Sequence, residues 1–145
     1  MKKIFLIMIG LSVSLLADFT RNNSTQIVTD STTTLQWQDD VTVSNKTWTE
    51  AIAYCEGLTL GTYSDWRLPN LKELTSLVDD TQTNPAIDHS ATAFQHTASS
   101  HYWSSTTYAN TSYYNAWIVY FNNGHQSHYA TKANSFYVRC VRAGQ

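Results

Sequence analysis

The sequence of 145 residues is poor in several residue types, and each scarcity excludes a class of protein. Two prolines and five glycines are too few for a collagen-like or proline-rich chain. Nine lysines and arginines stand against eleven acidic residues, which gives a formal net charge of −2. Because such a chain has no basic excess to neutralise phosphates, we expect no nucleic-acid partner. What the sequence does contain is aromatic: 13% of its residues are Phe, Trp or Tyr, which argues against a disordered chain.

Only the first segment carries a long apolar run. Lys2 and Lys3 precede the apolar residues 4–16, and Ala17 follows them. This order predicts a signal peptide over residues 1–17, because the run is too short for a membrane span of about 20 residues. Its removal would take away two lysines and leave a single exported domain, residues 18–145, with a net charge of −4 and no membrane span. We expect a periplasmic, cell-surface or secreted location.

The two cysteines, Cys55 and Cys140, both lie in the exported part. Export favours oxidation, and two cysteines allow one intramolecular pairing, so we expect a disulfide. It would close a loop of about 85 residues, worth about 4–5 kcal/mol in the chain-entropy model.

Capping patterns predict two helices. Thr47 with Glu50 matches a capping box, and the following apolar spacing predicts a helix to about Leu58. Asn70 with Glu73 matches a second capping box.

Strands are predicted on both sides of these helices. Alternating or β-prone residues favour six strands, with a tight turn at Asn122-Asn123-Gly124. The strand ranges are 26–30, 33–38, 102–106, 114–121, 125–131 and 136–142. We expect a loose lead-in over residues 18–25 and a long surface loop over residues 80–101. This order of elements predicts the α+β class.

Five ordered motifs carry a resemblance to a known family. They are LQWQDD at 35–40, TWTEA at 47–51 with Cys55, WRLPN at 66–70 with Glu73 and Leu74, YWSST at 102–106, and VRCVR at 138–142. Over residues 26–142 the chain resembles the Lcl C-terminal domain family, named for the domain that ends certain bacterial collagen-like adhesins. Some relatives bind glycosaminoglycans or act in attachment.

The resemblance implies a fold similar to that of C-type lectins and, more distantly, of formylglycine-generating enzymes. This means a twisted antiparallel sheet flanked by two helices, with one disulfide from the first helix to the last strand. Neither activity carries over. Leu68-Pro69-Asn70 lacks the carboxylate of the calcium-binding lectin motifs, and the two cysteines are expected to be paired. The net charge of −4 disfavours sulfated glycans.

Four motif residues have a structural interpretation. We expect Trp66 and Trp103 to fill the core, and Arg67 and Arg139 to pair with carboxylates such as Asp65 or Glu73.

Residues 108–132 are rich in Tyr, Asn, Ser and His, a composition typical of binding loops. They predict a non-enzymatic ligand-binding or attachment module that recognises a glycan or a protein. The predicted contact residues are Tyr108, Tyr113, Tyr114, Asn122, Asn123, His125, His128 and Tyr129. A structural component of a surface complex is one alternative.

The second alternative is an enzyme with a pocket near Arg67, Asp79 and His101. No catalytic residue, cofactor or metal is predicted. The residues also allow two metal-site hypotheses: calcium at Asp79, Asp80 and Asp88, and zinc at His125 and His128 with His89, His96 or His101.

Overall fold

The computed structural model describes residues 18–109 and 114–144, so the predicted signal peptide lies outside the described residues. The chain is α+β. In order, the elements are β1 (Phe19–Asn22), β2 (Ile27–Asp30), β3 (Leu35–Gln38), β4 (Val43–Lys46), α1 (Trp48–Glu56), α2 (Leu71–Thr75), β5 (His101–Thr107), β6 (Asn115–Tyr120), β7 (His125–Thr131), β8 (Phe136–Val138) and β9 (Val141–Ala143). Neither described helix is long and apolar enough to cross a membrane.

The first sheet is antiparallel and joins both ends of the described chain in the order β1-β2-β3-β9. The expectation of a loose lead-in over residues 18–25 is wrong for its first half, which forms β1. Phe19 explains the difference, because its ring is buried and meets Phe94 edge-on at 5.2 Å between centroids. Together with the Arg21–Asp39 ion pair at 2.8 Å, this buried aromatic holds a strand whose other residues are polar.

The second sheet has the order β4-β8-β5-β6-β7, and its β5–β8 pair is parallel. The resemblance implied one antiparallel sheet, whereas the described residues form two sheets, one of them mixed. The predicted strand at 136–142 is correspondingly split into β8 and β9, one in each sheet. Between them Cys140 leaves the ladder, and its carbonyl accepts a hydrogen bond from the Gln38 N–H at 3.0 Å.

Both predicted helices are confirmed, together with their caps. Thr47 and Glu50 exchange the two hydrogen bonds of a capping box at the start of α1, and Asn70 and Glu73 do so at α2. The predicted disulfide is also confirmed, since Cys55 in α1 is bonded to Cys140. The bridge links α1 to the β8–β9 junction, where the chain passes from the second sheet to the first.

Residues 80–100 contain no helix or strand, as expected, and β5 begins at His101, the last residue of the predicted loop. The segment is not a surface loop throughout. Ala86, Ile87, Ala93 and Phe94 are fully buried. Ile87, Ala93 and Phe94 belong to the core cluster that includes Tyr102. The apolar residues of this segment have no period, and its burial comes from contacts with distant strands.

Candidate functional site

The β6–β7 hairpin carries the candidate site. Its predicted turn is confirmed, and Gly124 adopts the positive φ of 79° that favours glycine. Near the other end of the hairpin the register shifts: Ile118 pairs with Ser127, whereas Ala116 pairs with Ala130. Two residues of β7 therefore lie opposite one residue of β6, which defines a β-bulge.

The bulge brings aromatic rings together. His128 and Tyr129 occupy it, opposite Trp117. The His128 ring lies 5.1 Å from Trp117 and 4.1 Å from Tyr129, between centroids. Tyr108 stacks on His128 at 4.2 Å and meets Trp117 edge-on at 5.7 Å. We call these four residues the aromatic platform.

The platform is accessible and its backbone is held in place. Tyr129 is 80% exposed, and Tyr108, Trp117 and His128 are partly exposed. The Asn115 side-chain amide donates to the His128 carbonyl at 3.1 Å, and the Tyr108 N–H donates to the Asn115 carbonyl at 2.9 Å. A rigid aromatic surface of this kind offers large contact area at low cost in conformational entropy.

A groove of about 430 Å³ lies between α2 and β7. Its lining residues are Leu71, Lys72, Thr75, Ser76 and Gln126. Gln126 pairs with Val119, and directly paired residues share a sheet face. Because side chains alternate along a strand, Trp117 lies on the face of Val119. The groove and the aromatic platform therefore lie on the same face of the second sheet.

The predicted contact residues fall into two groups. Tyr108, His128 and Tyr129 belong to the platform, and Tyr114 (73% exposed) lies at the same end of the hairpin. Tyr113 lies outside the described residues.

The second group is at the opposite end, around the turn. The Asn122 amide donates to the Asn84 side chain, and the Asn123 side chain accepts from the His125 N–H at 3.2 Å. Both asparagines thus already bond within the protein. Trp117 was not predicted as a contact residue. It lies two positions before Val119 in a strand of alternating apolar residues, and the same spacing is typical of core residues.

The Lcl C-terminal domain family model matches residues 26–142, which is most of the chain. The chain belongs to the Lcl C-terminal domain family. The matched residues include both sides of the disulfide, the platform and the groove. No curated protein matches the sequence. Membership suggests that this is a domain of an adhesin-like protein.

In this Lcl C-terminal domain the two motif tryptophans are core residues, as predicted. Trp66 and Trp103 are almost fully buried. Their indole N–H groups donate to the carbonyls of Tyr63 at 3.2 Å and Lys46 at 2.8 Å. Buried indoles need such partners, so Trp66 holds the backbone at Tyr63 and Trp103 holds the end of β4, in addition to filling the core.

The motif arginines are paired with carboxylates. Arg67 makes two hydrogen bonds to Glu73, of 2.8 and 2.6 Å, as predicted. Burial alone would raise the pKa of Glu73, but the Arg67 side chain and the Asn70 N–H lower it below its ordinary value. Asp65 pairs instead with Arg142, at 2.6 Å.

Arg139 pairs with Asp39, a carboxylate that was not predicted as its partner, at 3.3 Å. Burial lowers the pKa of the Arg139 guanidinium. The same guanidinium donates to the His96 carbonyl at 2.6 Å and to the Thr97 hydroxyl at 2.8 Å. Asp39 also accepts backbone N–H bonds from Gln95 and His96. This pair therefore anchors the segment 80–101 to the core.

The residues of the enzyme alternative have separate surroundings. Arg67 contacts Glu73, and His101 stacks on Tyr120 at 4.3 Å, where burial lowers its pKa. Asp79 accepts from the Thr81 hydroxyl at 2.6 Å, and this bond is the main reason that its pKa is lowered. Over residues 18–109 and 114–144, no three His, Cys, Asp or Glu side chains are placed to hold a metal ion.

Proposed function

We propose that this domain is a non-enzymatic ligand-binding or attachment module of an exported, adhesin-like protein, and that the aromatic platform is its contact surface. The single observation that carries the proposal is the convergence of four aromatic rings at the bulge of β7, with Tyr129 80% exposed. An aromatic ring that serves only the fold is normally covered, because its burial is what stabilises the protein.

The ligand class that we propose is a glycan, with a protein surface as the alternative. Aromatic faces stack on the C–H faces of sugar rings, and Tyr hydroxyls and His nitrogens hydrogen-bond to sugar hydroxyls. Calcium is not part of the proposed site. The two helices ahead of β5 and the disulfide from α1 to the β8–β9 junction support a C-type lectin-like fold. The disulfide is compatible with export directed by residues 1–17.

The proposal is tested on a glycan array, with and without calcium, using the oxidised protein expressed from its full sequence. We expect binding that does not need calcium and that Tyr129→Ala reduces at least about tenfold, the effect of losing one stacked ring. Because Tyr129 is largely exposed, the same variant should keep the parent Tm.

Tyr120→Ala is the matched control, because Tyr120 pairs with His125 and lies on the opposite sheet face from the platform. It should leave binding unchanged. Binding that survives Tyr129→Ala and Tyr108→Ala together would overturn the proposal. If no glycan binds, a pull-down with the parent and the double variant tests the protein alternative, and equal capture by both would also overturn it.

A further inference from the structure

We infer that the aromatic platform and the α2 groove form one continuous site for a chain of uncharged, β-linked pyranose sugars at least two units long. The inference rests on the proposed function, and it adds the length and the charge of the ligand. The platform would take one sugar ring by stacking, and the groove would take the next by hydrogen bonding.

The first step is the continuity of the two surfaces. Gln126 lines the groove, and His128 belongs to the platform. The two residues are two positions apart on β7 and lie on the same sheet face, so they are separated by about 6–7 Å. That spacing is close to the length of one sugar unit, so adjacent units of one chain can contact both surfaces.

The second step concerns charge. All four arginines of the chain pair with carboxylates within the protein, and two of them share Asp39. The pairs are Arg21–Asp39, Arg67–Glu73, Arg139–Asp39 and Arg142–Asp65. Lys132 donates to the Thr107 hydroxyl at 2.9 Å and lies over the Trp48 ring at 4.0 Å. A polyanion requires a cluster of free cations, and the groove lining contributes a single one, Lys72.

The third step concerns the shape of the ligand. Pyranoses with equatorial substituents present flat C–H faces, and β-linkage keeps successive rings extended. A flat face suits the stacked rings of the platform. In the groove, the Gln126 amide can both donate to and accept from sugar hydroxyls. The Thr75 and Ser76 hydroxyls donate to the carbonyls of Leu71 and Glu73, each at 2.7 Å, so they serve a ligand as acceptors. The lining combines the apolar Leu71 with uncharged polar groups and a single cation, Lys72, which suits an uncharged sugar.

The test is a calorimetric titration of the oxidised full-length protein with β-1,4-linked N-acetylglucosamine and glucose oligomers of increasing length. We expect affinity to rise at least about tenfold from one unit to two, then level off. Gln126→Ala should weaken binding of the dimer about tenfold and leave the monomer within about twofold. Tyr120→Ala, on the opposite sheet face, is the control and should change neither. Kd should change less than about twofold between about 50 and about 200 mM salt.

Three outcomes would overturn the inference. They are equal affinity for one unit and two, an equal effect of Gln126→Ala on both lengths, and preferential, salt-sensitive binding of heparin. Each is distinguishable from failure of the proposed function, which is indicated by binding that is indifferent to Tyr129→Ala. Failure of both oligomer series to bind would likewise overturn the inference that the ligand is a sugar. Binding of a protein that depends on Tyr129 would then still support the platform as the contact surface.

Discussion

Substitution of Asp39 by alanine should be among the most damaging single changes to this domain. The carboxylate is fully buried, pairs with Arg21 at 2.8 Å and with Arg139 at 3.3 Å, and accepts two backbone N–H bonds. Its removal leaves the buried Arg139 charge without its carboxylate. Breaking a buried pair from one side costs about 3–5 kcal/mol. A domain of this size is stable by about 5–15 kcal/mol, so the loss is a large share of the total.

The assay is equilibrium urea denaturation followed by tryptophan fluorescence. With a slope of about 2 kcal/mol/M, Asp39→Ala should lower the urea midpoint by about 1.5–2.5 M. Asp39→Asn keeps the shape and part of the hydrogen bonding, so its loss should be smaller. Asp80→Ala removes an exposed carboxylate and should change stability by less than about 0.5 kcal/mol. A loss below about 1 kcal/mol for Asp39→Ala would refute the assignment of this ion pair as the anchor of the segment 80–101.

Three further changes have defined outcomes. The double variant Cys55→Ser/Cys140→Ser opens a loop of 85 residues and should cost about 4–5 kcal/mol in urea denaturation; an unchanged midpoint would contradict this. Gly124→Ala places a Cβ at positive φ against Val78, so we expect a loss of at least about 1 kcal/mol, and a Tm equal to that of the parent would disprove the turn geometry. The pKa of Glu73 lies below its ordinary value of 4.5, so its stabilisation is present above that pH and is lost as the pH falls through the lowered pKa. Glu73→Gln should therefore reduce the loss in free energy of unfolding below about pH 5, by less than about 1 kcal/mol because the ion pair is partly exposed. An unaltered pH profile of urea denaturation would count against the pair.

The features predicted correctly from the sequence either depend on residues close together in the chain or have only one possible arrangement. The capping boxes at Thr47 and Asn70 depend on residues three positions apart, and the turn before His125 on three consecutive residues. The disulfide had a single possible intramolecular pairing. Sequence patterns are informative at this range because the interacting groups are neighbours in the chain.

The features that were missed depend on contacts between distant residues. The β-prone pattern of residues 136–142 continues through Arg139 and Cys140. It does not show that residues 136–138 and 141–142 belong to two different sheets. β4 was not predicted, because its four residues, VSNK, are too few and too polar to show alternation. The bulge that aligns Trp117 with two residues of β7 is a property of the paired strands. Composition indicated residues 108–132 as a candidate segment, but only the strand pairing separates the platform from the turn.

The most direct test of the aromatic platform is nuclear magnetic resonance of the five tryptophan indole N–H groups during titration with the β-1,4-linked N-acetylglucosamine trimer. Trp37, Trp66 and Trp103 are buried, and the Trp48 indole donates to the Ser104 carbonyl at 2.9 Å. Stacking of a sugar at the platform should therefore move the Trp117 resonance and leave the other four near their starting positions. A Trp117 resonance that stays fixed while other resonances show the trimer binding would contradict the platform as the binding site.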